Sequence, residues 1–178
     1  MRKQSKGVTA MDLLVTMTMA TILMVIGVPG LQEYGMNQQI KSALSLLHSD
    51  LKLARNDAIS LNARTVACPG DAKTGCAGHS QWNQGWLVFA DLNDDRQWQN
   101  EEPLLREAIE FDGLSISSPE SRSLIRFFPG GTAPGSNTSI VFCDRRGFEK
   151  GQKIVLSNSG RMRQSALTSS DEARCPLR

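Results

Sequence analysis

Apolar and polar positions along the chain fall into three regimes. From Val8 to Leu31 nearly every residue is apolar or small, and Asp12 is the one charge among 24 residues. At roughly 1.5 Å of rise per residue, a helix of that length crosses a bilayer core of about 30 Å. After Pro29-Gly30 the pattern stays helical but becomes one-sided. Leu31, Tyr34, Ile40, Ala43, Leu44, Leu47, Leu51, Ala54, Ala58, Ile59 and Leu61 recur mostly at three- and four-residue steps. That spacing predicts an amphipathic helix with one core-facing stripe, ending near Leu61-Asn62. From Arg64 the period shortens to two. Strands are expected at Arg64–Cys68, Trp86–Asp91, Leu104–Ile109, Leu114–Ser117, Leu124–Phe128, Ser139–Cys143 and Lys153–Ser157. They are separated by turn signals such as Pro69-Gly70, Asp112-Gly113, Pro129-Gly130-Gly131 and Asn158-Ser159-Gly160. Short strands at this spacing suggest antiparallel sheets, so the expected class is α+β: a long N-terminal helix, its first half membrane-spanning, packed through its second half on a β-rich head.

The first seven residues, MRKQSKG, carry Arg2, Lys3 and Lys6. A basic flank before an apolar run stays on the cytoplasmic side, and the remainder is then directed outward. An ordinary secretory signal fits less well. The apolar run exceeds the usual ~7–15 residues, and no A-x-A-like site follows it.

The segment Lys6-Gly7-Val8-Thr9-Ala10-Met11-Asp12-Leu13-Leu14 resembles the class III signal of type IV prepilins and type II secretion pseudopilins. The resemblance implies cleavage between Gly7 and Val8 by a prepilin peptidase, methylation of the new N-terminus at Val8, and an assembly role for Asp12 as the fifth mature residue. The family usually has Phe and Glu where this chain has Val8 and Asp12. Pro29 falls where the family commonly has a helix-kinking proline. A carboxylate within an apolar helix is costly and usually marks function; here it can pair with the N-terminal amine of a neighbouring subunit. Solvation of Asp12 at the membrane surface is the alternative. The implied divisions are a leader at 1–7, a transmembrane and filament-core helix at 8–31, an amphipathic helix at 32–63 and a head at 64–178. Location in the bacterial inner membrane, with a periplasmic head and other pilins as fibre partners, is likewise implied.

The later segments Gly85-Trp86-Leu87-Val88-Phe89-Ala90-Asp91-Leu92-Asn93, Leu104-Leu105-Arg106 and Ile154-Val155-Leu156-Ser157-Asn158-Ser159-Gly160-Arg161 resemble the FimT/GspH branch of that superfamily.

Four cysteines, Cys68, Cys76, Cys143 and Cys175, allow three connectivities. Outside the cytoplasm disulfides are the default. The favoured pairing joins Cys68 to Cys76 across a short loop and Cys143 to Cys175 across the C-terminal tail. Zinc is disfavoured, because the cysteines lack C-x-x-C spacing and His48 and His79 are far apart in sequence. No metal and no cofactor is expected.

The whole chain carries a formal charge of +2. Without residues 1–7 the side chains balance at 17 bases against 18 acids, which gives no global case for nucleic-acid binding. The distribution is uneven. Cys143 to Arg178 holds eight bases against four acids, whereas Val8 to Phe142 holds nine against fourteen. Such asymmetry suggests a face turned toward a polyanion. Within the basic segment Gly160-Arg161-Met162-Arg163 resembles the GRxR motif of DNA-binding FimT proteins, which act in DNA uptake during natural transformation. In an extended chain Arg161 and Arg163 lie on one side, and two guanidinium forks can bridge successive phosphates. Arg145, Arg146, Lys150 and Lys153 are expected to extend the patch. An ordinary charged strand edge is the plainer reading.

Asp91-Leu92-Asn93-Asp94-Asp95 with Glu102 has the oxygen-ligand spacing of a calcium loop, but Arg96 occupies the position where such a loop needs Gly. An acidic hairpin loop is expected instead. There is no G-x-S-x-G, H-E-x-x-H or P-loop, and no enzymatic activity is expected. Three functions stay open: a DNA-binding minor pilin, a structural minor pilin that primes or caps the fibre, and a type II secretion pseudopilin.

Overall fold

The computed structural model describes residues 9–175. The chain divides into two compact units, Met1–Gln38 and Gln39–Arg178. Helix α1 (Ala10–Ser60) begins in the first and ends in the second.

In the first unit, α1 continues through Pro29, although proline removes one backbone donor. The helix is long and apolar enough to cross a membrane. Leu13, Met17, Ile22, Leu23 and Val25 are exposed along it. The hydroxyls of Thr16, Thr18 and Thr21 donate to the carbonyls of Leu13, Val15 and Met17 at 3.0, 2.9 and 2.8 Å. These polar groups therefore need no solvent partner. The expected stripe residues Leu31 and Tyr34 lie in this unit and are exposed.

In the second unit the stripe is narrower than the periodicity suggests. Ile40, Ala43, Leu44, Leu47, Leu51, Ala54 and Ala58 are buried, whereas Ile59 and Leu61 are exposed. Leu61 falls outside the helix because Asn62 turns the chain with φ 48°.

Nine strands follow among the described residues: β1 (Arg64–Asp71), β2 (Gly75–Cys76), β3 (Trp86–Asp91), β4 (Leu104–Ala108), β5 (Ser115–Ser117), β6 (Ile125–Phe127), β7 (Thr138–Cys143), β8 (Gln152–Leu156) and β9 (Met162–Ala166). They form two antiparallel sheets. One runs β2-β1-β3-β4 with β6 also on β1; the other runs β5-β7-β8-β9. All seven expected strands are present, with ends shifted by up to three residues. β2 and β9 are additional. β2 is a two-residue pairing inside the Cys68–Cys76 loop. β9 reads Met-Arg-Gln-Ser-Ala, too poor in β-branched residues to announce itself, and it forms by extending the register of β8 from Gln152↔Ala166 to Leu156↔Met162.

The helix stripe joins Ala67, Trp82, Trp86, Val88, Ile116, Ile125, Phe127, Ile140, Phe142, Ile154 and Leu156 in one core. Polar bonds fix its seat. The Trp86 indole N–H donates to Asp50 Oδ2 at 2.9 Å, and the Thr65 hydroxyl donates to the Ala54 carbonyl at 2.8 Å. The opposite face of the first sheet, with Val66, Cys68, Leu87 and Phe89, is covered by Ala72, Cys76, Leu124 and Trp98. β3 is consequently buried on both faces. The opposite face of the second sheet gathers Val141, Cys143 and Cys175 with Phe148 and Leu167. Disulfides join Cys68 to Cys76 and Cys143 to Cys175. β9 is left at the sheet edge.

Candidate functional site

Gly7 and Val8, the expected cleavage site, lie outside the described residues. Asp12 lies in the first turn of α1. Its carboxylate accepts the Thr9 backbone N–H at 3.1 Å and the Thr9 hydroxyl at 2.8 Å, while Thr9 Oγ1 accepts the Asp12 N–H at 3.3 Å. This reciprocal arrangement is a capping box with Asp in the place usually taken by Glu or Gln. Asp12 thus has a local role that the sequence reading did not foresee.

The basic residues separate into two groups. Arg161 and Arg163 are exposed, and Arg163 lies opposite Val155 in the β8–β9 ladder. The Arg161 carbonyl accepts the Ser157 N–H at 3.0 Å. Because side chains alternate along an extended chain, Arg161 and Arg163 project on one side. They share a hollow of about 440 Å³ with Val155, Ser157, Ser159 and Met162, and among the described residues no carboxylate lines it. Among the described residues neither guanidinium meets an acid within ion-pair distance.

The other expected cations are placed differently. Arg146 grips Asp144 through Nε and Nη2, the latter at 2.6 Å. Lys153 Nζ reaches Asp171 Oδ2 at 2.5 Å and the Thr168 hydroxyl at 3.0 Å. Arg174 also pairs with Asp171 and donates to the Ser139 carbonyl at 2.7 Å. Arg146 and Lys153 therefore serve the fold. Arg145 and Lys150 are exposed and line none of the hollows described here. A broader hollow of about 660 Å³ brings Arg163 near Lys153 and Arg174, but Asp171 shares its wall.

The turn before β9 is held from two sides. Gly160 N–H donates to the Ser157 carbonyl at 2.9 Å, closing the turn, and Ala133 N–H donates to the Asn158 carbonyl at 2.8 Å. From α1, Arg55 Nε donates to the Gly131 carbonyl at 2.8 Å. Gly160 has φ +75°, and a Cβ there would lie 2.2 Å from the Gly131 oxygen and 3.1 Å from Arg55 Nε. Glycine lets this turn press against its neighbour. Arg161 is launched from that fixed point.

The sequence reading missed Lys52 and Arg55. Together with Asn56, Arg161 and Met162 they line a third hollow, of about 330 Å³. No local motif signals this. The two helix residues lie more than a hundred positions from Arg161, and only the packing of α1 beside β9 brings them together.

The acidic loop between β3 and β4 ties itself down. Asp94 binds Arg64 at 2.5 Å and Arg126 at 3.3 Å, and both arginines lie over the Phe128 ring. Glu102 Oε1 accepts the Leu92 N–H at 2.9 Å. Arg96 takes φ 67°, the conformation for which glycine is favoured. Among the described residues no three His, Cys, Asp or Glu side chains converge as metal ligands.

Comparison with known proteins agrees with this architecture. The family described as type II transport protein GspH matches residues 43–160. The type IV minor pilin FimU of Pseudomonas aeruginosa strain PAO1 has a similar structure, with TM-score 0.58 and 18% identity over 80% of this chain and 96% of that one. The minor pseudopilin EpsH of the Vibrio cholerae type II secretion system has TM-score 0.52 and 11% identity over 76% and 99%. No curated protein sequence matches. The family match over residues 43–160 makes this protein a member of the GspH family, with a fold like that of the minor pilin FimU and the minor pseudopilin EpsH.

Proposed function

We propose that the protein is a minor pilin of a type IV pilus that binds DNA through Gly160-Arg161-Met162-Arg163 and supports DNA uptake in natural transformation. The observation that carries this reading is the pair of exposed guanidinium groups, Arg161 and Arg163, beside Ser157 and Ser159 in a hollow that no carboxylate lines among the described residues. Guanidinium forks donate two parallel hydrogen bonds to a phosphate. Such contacts are sequence-tolerant and salt-sensitive. Trp82 and Trp86 are fully buried, and Trp98 packs against the first sheet, which leaves the three indoles unsuited to stacking on bases. The chain acts by binding, not catalysis. Prepilin peptidase cleaves between Gly7 and Val8, Val8 is methylated, the inner membrane stores the subunit, and Asp12 pairs with the amine of a neighbouring pilin.

A gel-shift titration of the full chain in non-ionic detergent tests the DNA step, with Arg161→Gln/Arg163→Gln beside the parent. The parent should bind weakly, with a log–log salt slope of only a few units, and the double variant should lose most of that binding. Absence of a shift by the parent at low salt, or equal binding by the variant, rejects the reading. The family description favours a second function, that of a type II secretion pseudopilin. The same negative result would support it.

A further inference from the structure

The hollow between α1 and the start of β9 extends the proposed DNA site. Lys52, Arg55 and Arg161 contribute three cations to its wall beside Asn56 and Met162, and among the described residues no carboxylate lines it. Arg161 also lines the neighbouring hollow with Arg163, Ser157 and Ser159. One guanidinium therefore stands between two anion-accepting recesses. Arg55 is anchored through Nε to the Gly131 carbonyl, which holds it in place without consuming its charge. Lys52 is exposed and, among the described residues, has no acid within ion-pair distance. Three like charges brought together without an acid repel one another, and a phosphate relieves that repulsion.

We infer that the DNA backbone runs from the β9 edge across the Ser157–Gly160 turn onto α1, with one phosphate in the Lys52–Arg55–Arg161 hollow and the next beside Arg161 and Arg163. Lys52 is then a DNA-contact residue. This inference rests on the proposed DNA reading, and the two can fail separately.

The full chain in non-ionic detergent is titrated with a fluorescent 30-base-pair duplex over a range of salt. Lys52→Gln is compared with Lys73→Gln, which removes the same charge from the exposed loop closed by Cys68–Cys76. Loss of one phosphate contact lowers the magnitude of the log–log salt slope by about 0.9 for duplex DNA. Lys52→Gln should show that drop and a roughly three- to tenfold weaker affinity at low salt, while Lys73→Gln follows the parent. Equal slopes for the two variants, with Arg161→Gln/Arg163→Gln still defective, overturn the Lys52 contact and leave the DNA reading standing. No binding by the parent rejects both. A Lys52→Gln defect confined to phosphatidylglycerol vesicles, with duplex binding unchanged, also overturns the inference, because it assigns the hollow to lipid headgroups.

Discussion

At the scale of single residues, Gly160 governs the site without touching a ligand. Its φ of +75° alone makes a side chain unfavourable, by roughly 1–2 kcal/mol. The 2.2 Å approach of a Cβ to the Gly131 carbonyl is more severe, because that oxygen is backbone and a Cβ has no torsion by which to swing away. The turn must withdraw from Gly131, and Arg55 must shift with it. Gly160→Ala is expected to destabilise the fold by about 2–4 kcal/mol, because strain and overpacking each cost about 1–3 kcal/mol. Urea unfolding checks this. Arg161→Gln, with an exposed side chain, should stay within about 0.5 kcal/mol of the parent. A Gly160→Ala protein as stable as Arg161→Gln would show that the turn is not clamped as described.

At the scale of elements, the segment that leads to Cys175 is locked onto β8 and β7. The short 3-10 helix Ser169–Arg174 starts at Thr168, whose backbone N–H and hydroxyl both donate to Asp171. Burial pushes the Asp171 carboxyl up, but the Lys153 ammonium and the Thr168 donors outweigh it and hold its pKa well below the ordinary 3.8. A carboxyl with a depressed folded-state pKa stabilises fully above its unfolded value and loses that contribution as pH falls toward the folded one. The lock should hold from neutral pH to about 5, weaken below the ordinary carboxyl value and fail only in strong acid. Asp171→Asn leaves Lys153 and Arg174 without their shared anion, a change of about 3 kcal/mol at neutral pH. Its stability should vary less with pH below about 4 than the parent's, as thermal melts at several pH values would show. An unchanged acid limb rules out this role. Much of this level was legible in the sequence. The helical stripe announced α1, alternation and turn residues announced seven strands, and the spacing of the cysteines suggested the pairs seen. β9 was not legible as a strand, because its stability comes from β8 rather than from its own residues. The Lys153–Asp171–Arg174 cluster was invisible for a related reason: charges counted along a chain do not reveal which of them meet.

At the scale of the whole molecule, that last point alters what the charge distribution means. The excess of bases after Cys143 first suggested a broad basic face. In the fold Arg146, Lys153 and Arg174 are held by Asp144 and Asp171, and Arg64 and Arg126 share Asp94. Lys52, Arg161 and Arg163 remain beside hollows without acids, and of these Lys52 comes from the net-acidic segment. Binding is therefore expected to follow local placement rather than net charge. Lys153→Gln and Arg163→Gln remove the same single charge and test this directly. The Lys153 side chain is 11% exposed and meets a carboxylate that is 3% exposed, so its loss should cost about 1–3 kcal/mol of stability, softened by Arg174 remaining on Asp171. Where Lys153→Gln remains folded, its salt slope for DNA should match the parent's. Arg163→Gln should do the reverse, with stability nearly unchanged and the slope reduced by about one. If both variants weaken DNA binding equally while folded, the protein reads DNA through its overall field, and the Arg161–Arg163 edge has no special part in it.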